Sequence, residues 1–144
     1  MSFINEQSVS AFRQNLTSLS RRLRKESENT PQTWSTLLVL STIDQVGGGI
    51  SPGELAKREN FHTSNLATML KTLEQNGLIL RQKDPSDGRR VRLYLTERAN
   101  KLLSENRYKR DKWLFNMIEK NLTHKEVEVL FMAGEIMAKL SSNK

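Results

Sequence analysis

The chain has 144 residues, with 23 Lys and Arg against 16 Asp and Glu for a net charge of +7, and its 36% hydrophobic content is low for a lone globule and ordinary for the subunit of a helical oligomer. That length suits one compact unit or one with an appendage, no apolar run reaches the ~18 residues of a membrane span, and the opening MSFINEQ lacks the basic and apolar segments of a secretory signal. The absence of cysteine excludes disulfide scaffolds, thiolate metal sites, cysteine nucleophiles and thiol redox sensing, so a cytoplasmic protein is expected whose positive charge asks for an anionic partner.

Residues 5–28 read as an amphipathic helix. Val9, Phe12, Leu16, Leu19 and Leu23 recur at steps of three and four, the seam one helix offers another. Its outer side carries Arg13, Arg21, Arg22, Arg24 and Lys25, which alone reads as a solvated face. Thr30-Pro31 is expected to open a second helix, with Thr30 as N-cap and Pro31 at the first helical position. Trp34, Leu37, Leu38, Leu40 and Ile43 make that helix apolar on most sides, and Gly47-Gly48-Gly49 ends it. Ser51-Pro52-Gly53-Glu54 has the spacing of a capping box and starts a short helix that Asn60 closes in the left-handed conformation.

A further helix over about 63–76 has Leu66, Met69, Leu70 and Leu73 on one side. Its other side, Thr63, Ser64, Asn65, Thr68, Lys71 and Thr72, has no acid before Glu74. Two strands follow, Leu78–Lys83 and Arg90–Leu95, joined by the dense turn signal Asp84-Pro85-Ser86-Asp87-Gly88-Arg89. In the second strand Val91, Leu93 and Leu95 are expected to face in, and Arg90, Arg92 and Tyr94 out. Thr96 caps a long helix to about Lys120, apolar at both ends and polar at Asn106–Arg110, which reads as a strut between two packed regions. Thr123-His124-Lys125-Glu126 is a second capping box, and the helix after it is expected to bury Val127, Leu130, Phe131, Gly134 and Met137.

Short helix, turn, helix and hairpin in this order make a winged helix–turn–helix, so the fold expected is mainly α with a small β-hairpin wing. The second helix of such a pair enters the DNA major groove, which it fits by width. A solvated helix face ordinarily mixes Glu and Lys, whereas this one offers the small polar side chains that suit base edges and phosphates. From Arg81 to Arg92, five basic and two acidic residues leave the hairpin with +3. Arginine at a tapered tip suits a narrow minor groove, and the same run in isolation would read as a charged guard on an edge strand.

The stretches ISPGELAKREN and LATMLKTLEQNGLILRQKDPSDGRRVRLYLTERANKLL, between Ile50 and Leu103, resemble the DNA-binding core of the MarR family of bacterial winged-helix regulators. DPSDGRR followed by VRLYLTE is the most family-specific piece, and the flanking helices match in order. The resemblance implies a homodimer interleaved through its first and last two helices. It also implies a pseudo-palindromic double-stranded DNA operator and, often, release by small aromatic or phenolic ligands. Carried over by position, Ser64, Asn65 and Thr68 would face bases. Thr63, Lys71 and Thr72 would lie near phosphates, and Arg89, beside Arg90, would be the wing arginine held by Asp87. The chain departs from the family pattern at Thr68 and Thr72, where a basic residue is common, at Lys71, where an acid is common, and at His62, which stands at a usual Ser/Thr cap.

No catalytic constellation is present. His62 and His124 have no spaced partners, three or four clustered metal ligands are missing, and the glycine run has no following Lys-Ser/Thr, so neither enzyme, cofactor nor metal is expected. A pocket lined by Phe12, Arg13, Trp34 and Leu38 follows by analogy, but the apolar three serve equally as core, and no ligand site is assigned. The resulting organisation is a DNA-binding domain over 30–103 flanked by dimerisation helices at 1–29 and 104–144, in a repressor. A sequence-tolerant architectural DNA binder and a winged helix used for protein contacts are the alternatives.

Overall fold

The computed structural model describes residues 3–27 and 32–143. Its elements follow in the order α1 (Glu6–Lys25), α2 (Trp34–Gln45), α3 (Pro52–Glu59), α4 (Thr63–Gln75), β1 (Ile79–Lys83), β2 (Val91–Leu95), α5 (Glu97–Asn121) and α6 (His124–Ser142). This is the mainly helical winged helix–turn–helix expected from the pattern.

Capping side chains set most helix starts. Asn5, Ser51 and Thr96 accept the N–H of Ser8, Glu54 and Ala99, and Thr123 with Glu126 forms the full reciprocal box. Asn60 closes α3 at φ 54°, ψ 39°, as its small polar side chain permits. Thr30 and Pro31 lie outside the described residues. The start of α2 is at Trp34, where Thr33 accepts the Thr36 N–H, so the capping residue is three positions later than expected.

All buried apolar side chains among the described residues fall between Leu37 and Leu103. Leu40 and Ile43 of α2, Leu55 of α3, Leu66, Leu70 and Leu73 of α4, Ile79 and Leu93 of the hairpin and Leu103 of α5 form one cluster. Leu38 is an exception to the burial expected of α2 and stays exposed. The strands pair antiparallel with Ile79 opposite Leu95 and Lys83 opposite Val91. Ile50 bridges to Leu93, whose N–H donates to Ile50 O at 2.9 Å and whose carbonyl accepts the Gly49 N–H at 2.8 Å, and this pins the α2–α3 connection to the base of the wing. That connection crosses Gly48 at φ +85°, where a Cβ would stand 2.8 Å from Cδ1 of Tyr94, so both backbone conformation and space require glycine. Tyr94 faces away from the core strand residues as expected, yet it is half-buried against these glycines rather than free.

The terminal helices differ. Neither α1 nor α6 contains a buried residue. The expected burial of Phe131 and Gly134 does not occur within the protomer. The partly covered positions of α6 are Val127, Leu130, Ala133 and Met137, at steps of three, three and four, and Phe131 lies 61% exposed beside that stripe. The middle of α5 is not simply solvated either. Asn106 is 1% exposed and its Oδ1 accepts the Ser27 hydroxyl at 2.7 Å, while Arg107 donates to Asp44 of α2 at 3.0 Å. Arg22 of α1 stacks over Trp113 of α5 at 4.6 Å. Polar and cationic contacts therefore fasten α1 and α5, where the bare pattern showed only a hydrophilic stretch.

Candidate nucleic-acid interface

The buried stripe Leu66, Leu70 and Leu73 turns the opposite side of α4 outward, and Thr63, Ser64, Asn65, Thr68, Lys71 and Thr72 are all exposed on it. His62 stands at the N-cap without a side-chain hydrogen bond, so the first-turn N–H groups keep no capping side chain. Thr68 Oγ1 donates to Ser64 O, and Thr72 Oγ1 to Thr68 O, each at 3.2 Å. No acidic side chain of α4 precedes Glu74, and Glu74 is paired with Arg81 of β1 at 2.7 Å.

The wing is built around a carboxylate that the pattern alone counted only as a negative charge. Asp84 Oδ1 accepts the Ser86 N–H at 2.9 Å and the Ser86 hydroxyl at 2.7 Å, and its Oδ2 accepts Arg92 Nε at 2.9 Å. The Ser86 hydroxyl and N–H, followed by Arg92, hold this carboxyl well below the usual carboxylate range, and Asp84 in turn raises the Arg92 guanidinium. Register gives the signal that locates this clasp, because Arg92 pairs with Gln82, two residues before Asp84. The outward residue Arg92 is therefore a structural half of the wing.

Asp87 sits at the turn as expected and holds Arg89 by its backbone rather than by its guanidinium. Its Oδ1 accepts the backbone N–H of Arg89 at 3.0 Å, and the guanidinium nearest its other oxygen is that of Arg90, at 3.8 Å. Arg89 is exposed at the tip with no ion pair among the described residues. Of the five basic side chains in the hairpin, Arg81 and Arg92 are neutralised at close range, Arg90 loosely, and Lys83 and Arg89 remain open. The face of α4 and the tip of the hairpin thus combine small neutral polar groups with an unpaired guanidinium, the pairing of base-edge and minor-groove chemistry.

Among the described residues there is no group of three metal-ligating side chains, and no helix is long and apolar enough to cross a membrane. His124 lies 3.2 Å from Glu128 on the exposed side of α6, far from a constellation. Trp34 and Leu38 line a cavity of about 70 Å³ with Leu37, Leu103, Asn106 and Arg110. Phe12 lines a separate groove with Leu122, Leu130 and Met137, and Arg13 lines neither. Asn106 Nδ2 and Arg110 Nε are buried without hydrogen-bond partners, Arg110 stacks on Trp34 at 5.3 Å, and burial pushes its guanidinium down.

Comparison with known proteins gives a consistent result. The model of the MarR family matches residues 33–91. The chain is 30% identical over 122 residues to the HTH-type transcriptional regulator MT0903.1 of Mycobacterium tuberculosis, covering 85% of this chain and 84% of that protein. A putative transcriptional regulator of Pseudomonas aeruginosa shares 36% identity at a TM-score of 0.86, over 98% of this chain and 100% of the other. A MarR family protein of Bacillus stearothermophilus, 24% identical, has the same fold at a TM-score of 0.83 over 97% and 99% of the two chains.

Proposed function

Because the chain belongs to the MarR family of DNA-binding transcriptional regulators, we propose that it acts as a homodimeric cytoplasmic repressor on a pseudo-palindromic operator. Residues 30–103 carry the DNA contact, and 1–29 with 104–144 hold the protomers together. The observation that carries this reading is the open guanidinium of Arg89 at the hairpin tip together with the exposed polar face of α4. In the complex, α4 lies in the major groove with Ser64, Asn65 and Thr68 at base edges and Thr63, Lys71 and Thr72 near phosphates. Arg89, with Arg90 beside it, enters the adjacent minor groove.

Dimerisation is supported by the uncovered apolar faces. Val9, Phe12, Leu16 and Leu19, one seam of α1, and Phe131, Met132 and Ile136 of α6 are exposed in the protomer, and uncovered apolar residues at helix-packing spacing suit a partner helix. Two reading helices then stand about 34–36 Å apart, one turn of DNA. The cavity at Trp34, about 70 Å³ with unpartnered Asn106 and Arg110 donors, is about half the ~150 Å³ that takes a benzene, so release by a small aromatic ligand requires it to widen. A ligand that prefers another spacing of the lobes draws the population away from DNA.

Titration of a labelled operator at several salt concentrations tests this reading. Arg89→Ala removes one ionic contact per protomer, so the log–log salt slope becomes shallower by about 2, whereas Thr68→Ala leaves it nearly unchanged. An unchanged slope for Arg89→Ala returns the wing to a solvated turn. Equal affinity for operator and random duplex marks a sequence-tolerant binder instead.

A further inference from the structure

The hydrogen-bonding polarity of the α4 face points to the base pairs it accepts. A hydroxyl has one proton and two lone pairs. Thr68 and Thr72 each commit that proton to the helix, to Ser64 O and Thr68 O. Thr68 therefore shows a base edge an oxygen acceptor and a methyl group, and no donor, while Thr72, near the phosphates, leaves the donated contact there to Lys71 and Thr63. Asn65 is exposed and makes no hydrogen bond to any described residue, so its amide offers a donor and an acceptor side by side. Guanine presents two acceptors, N7 and O6, which arginine or lysine ordinarily takes. Lys71 is the lone cation of α4 and lies a turn beyond Thr68, whereas reading helices meet base edges with their N-terminal residues.

An A·T pair presents the complementary set. Adenine N7 and N6 match an asparagine amide, adenine N6 donates to an acceptor, and thymine carries a C5-methyl. Resting on the DNA-binding reading above, we propose that α4 selects A·T pairs in the major groove. Asn65 engages adenine N6 and N7 of one pair. Thr68 accepts from adenine N6 of a neighbouring pair while its methyl packs on the thymine methyl. The wing points the same way from the other groove, because the open Arg89 suits the narrow, strongly negative minor groove of an A-tract.

The full-length chain is first incubated with a random duplex pool, and the selected half-sites are then rebuilt with single thymines replaced by uracil, which deletes only the C5-methyl. The expected result is A·T at the major-groove positions, with one uracil position weakening binding about fourfold per half-site, the worth of one buried methyl. Thr68→Ser keeps the hydroxyl and drops the methyl, so it abolishes the thymine–uracil difference at that position, and Asn65→Ala does not. G·C pairs at the selected positions overturn the proposal and leave DNA binding intact, as does a thymine–uracil difference that survives Thr68→Ser. No binding to any duplex overturns the DNA-binding reading itself.

Discussion

The lobe between α2 and the first turns of α5 and the pair of terminal helices bury apolar surface in different ways. In the lobe, Leu40, Ile43, Leu55, Leu66, Leu73 and Leu93 are covered by neighbours in the same chain. In α1 and α6, residues with the same amphipathic spacing stay open, Leu16 at 42% and Phe131 at 61%. Hydrophobic periodicity states that a face will be covered and is silent on which chain covers it. The lobe's stability is thus a property of one chain, and in the proposed dimer that of the terminal helices becomes a property of concentration.

The strongest way to probe this contrast is a cavity in the lobe. Leu40→Ala at a fully buried position is expected to cost about 2–5 kcal/mol in urea unfolding, by the same amount at every protein concentration. Leu16→Asp should leave the lobe's circular dichroism intact and weaken self-association by about 2 kcal/mol, roughly thirtyfold in the dissociation constant by sedimentation. A variant that associates like the parent would show that α1 lies outside the interface. Ser27→Ala tests the fastening between the two regions. It deprives buried Asn106 Oδ1 of the Ser27 hydroxyl and is expected to cost about 1 kcal/mol or somewhat more in thermal unfolding.

The smallest expected effect concerns the wing and is visible only in acid. Asp84 is held well below its ordinary range, so its stabilising contribution is full above about pH 3.9 and is lost as the pH falls toward the folded-state value. Asp84→Asn removes that proton uptake, and its stability should fall less steeply between about pH 4 and pH 2 than the parent's. Identical acid limbs in pH-dependent unfolding would mean that the clasp with Ser86 and Arg92 does not form in solution.

Local chemistry made much of this legible in the sequence. The caps Ser51, Thr96 and Thr123, the left-handed Asn60 and the alternation in β2 each rest on residues within a few positions of one another. The exposed face of α4 followed from its leucine stripe in the same way. What stayed hidden depends on distant partners. Asn106 reads as a solvated residue until Ser27, 79 positions away, is placed against it. Asp84 and Arg92 read as opposite charges in a turn until the strand register brings them together. Asp87 reads from its position as the holder of Arg89, and spacing does not distinguish the backbone N–H that it accepts from the guanidinium.

The length of α5 has a mechanical consequence. Its 25 residues make an unbroken rod of about 37 Å, rooted in the lobe at Ala99 and Leu103 and carrying α6 at its far end. A tilt of about 5°, small beside known interface rotations, moves the end of such a rod by about 3 Å. That displacement is close to the 3.4 Å axial rise per nucleotide of one DNA strand. In the proposed dimer, where the α6 end is held by the partner protomer, such a tilt would displace the lobe by one full step at the groove, and a glycine pair introduced in the middle of α5 would absorb the motion before it arrived.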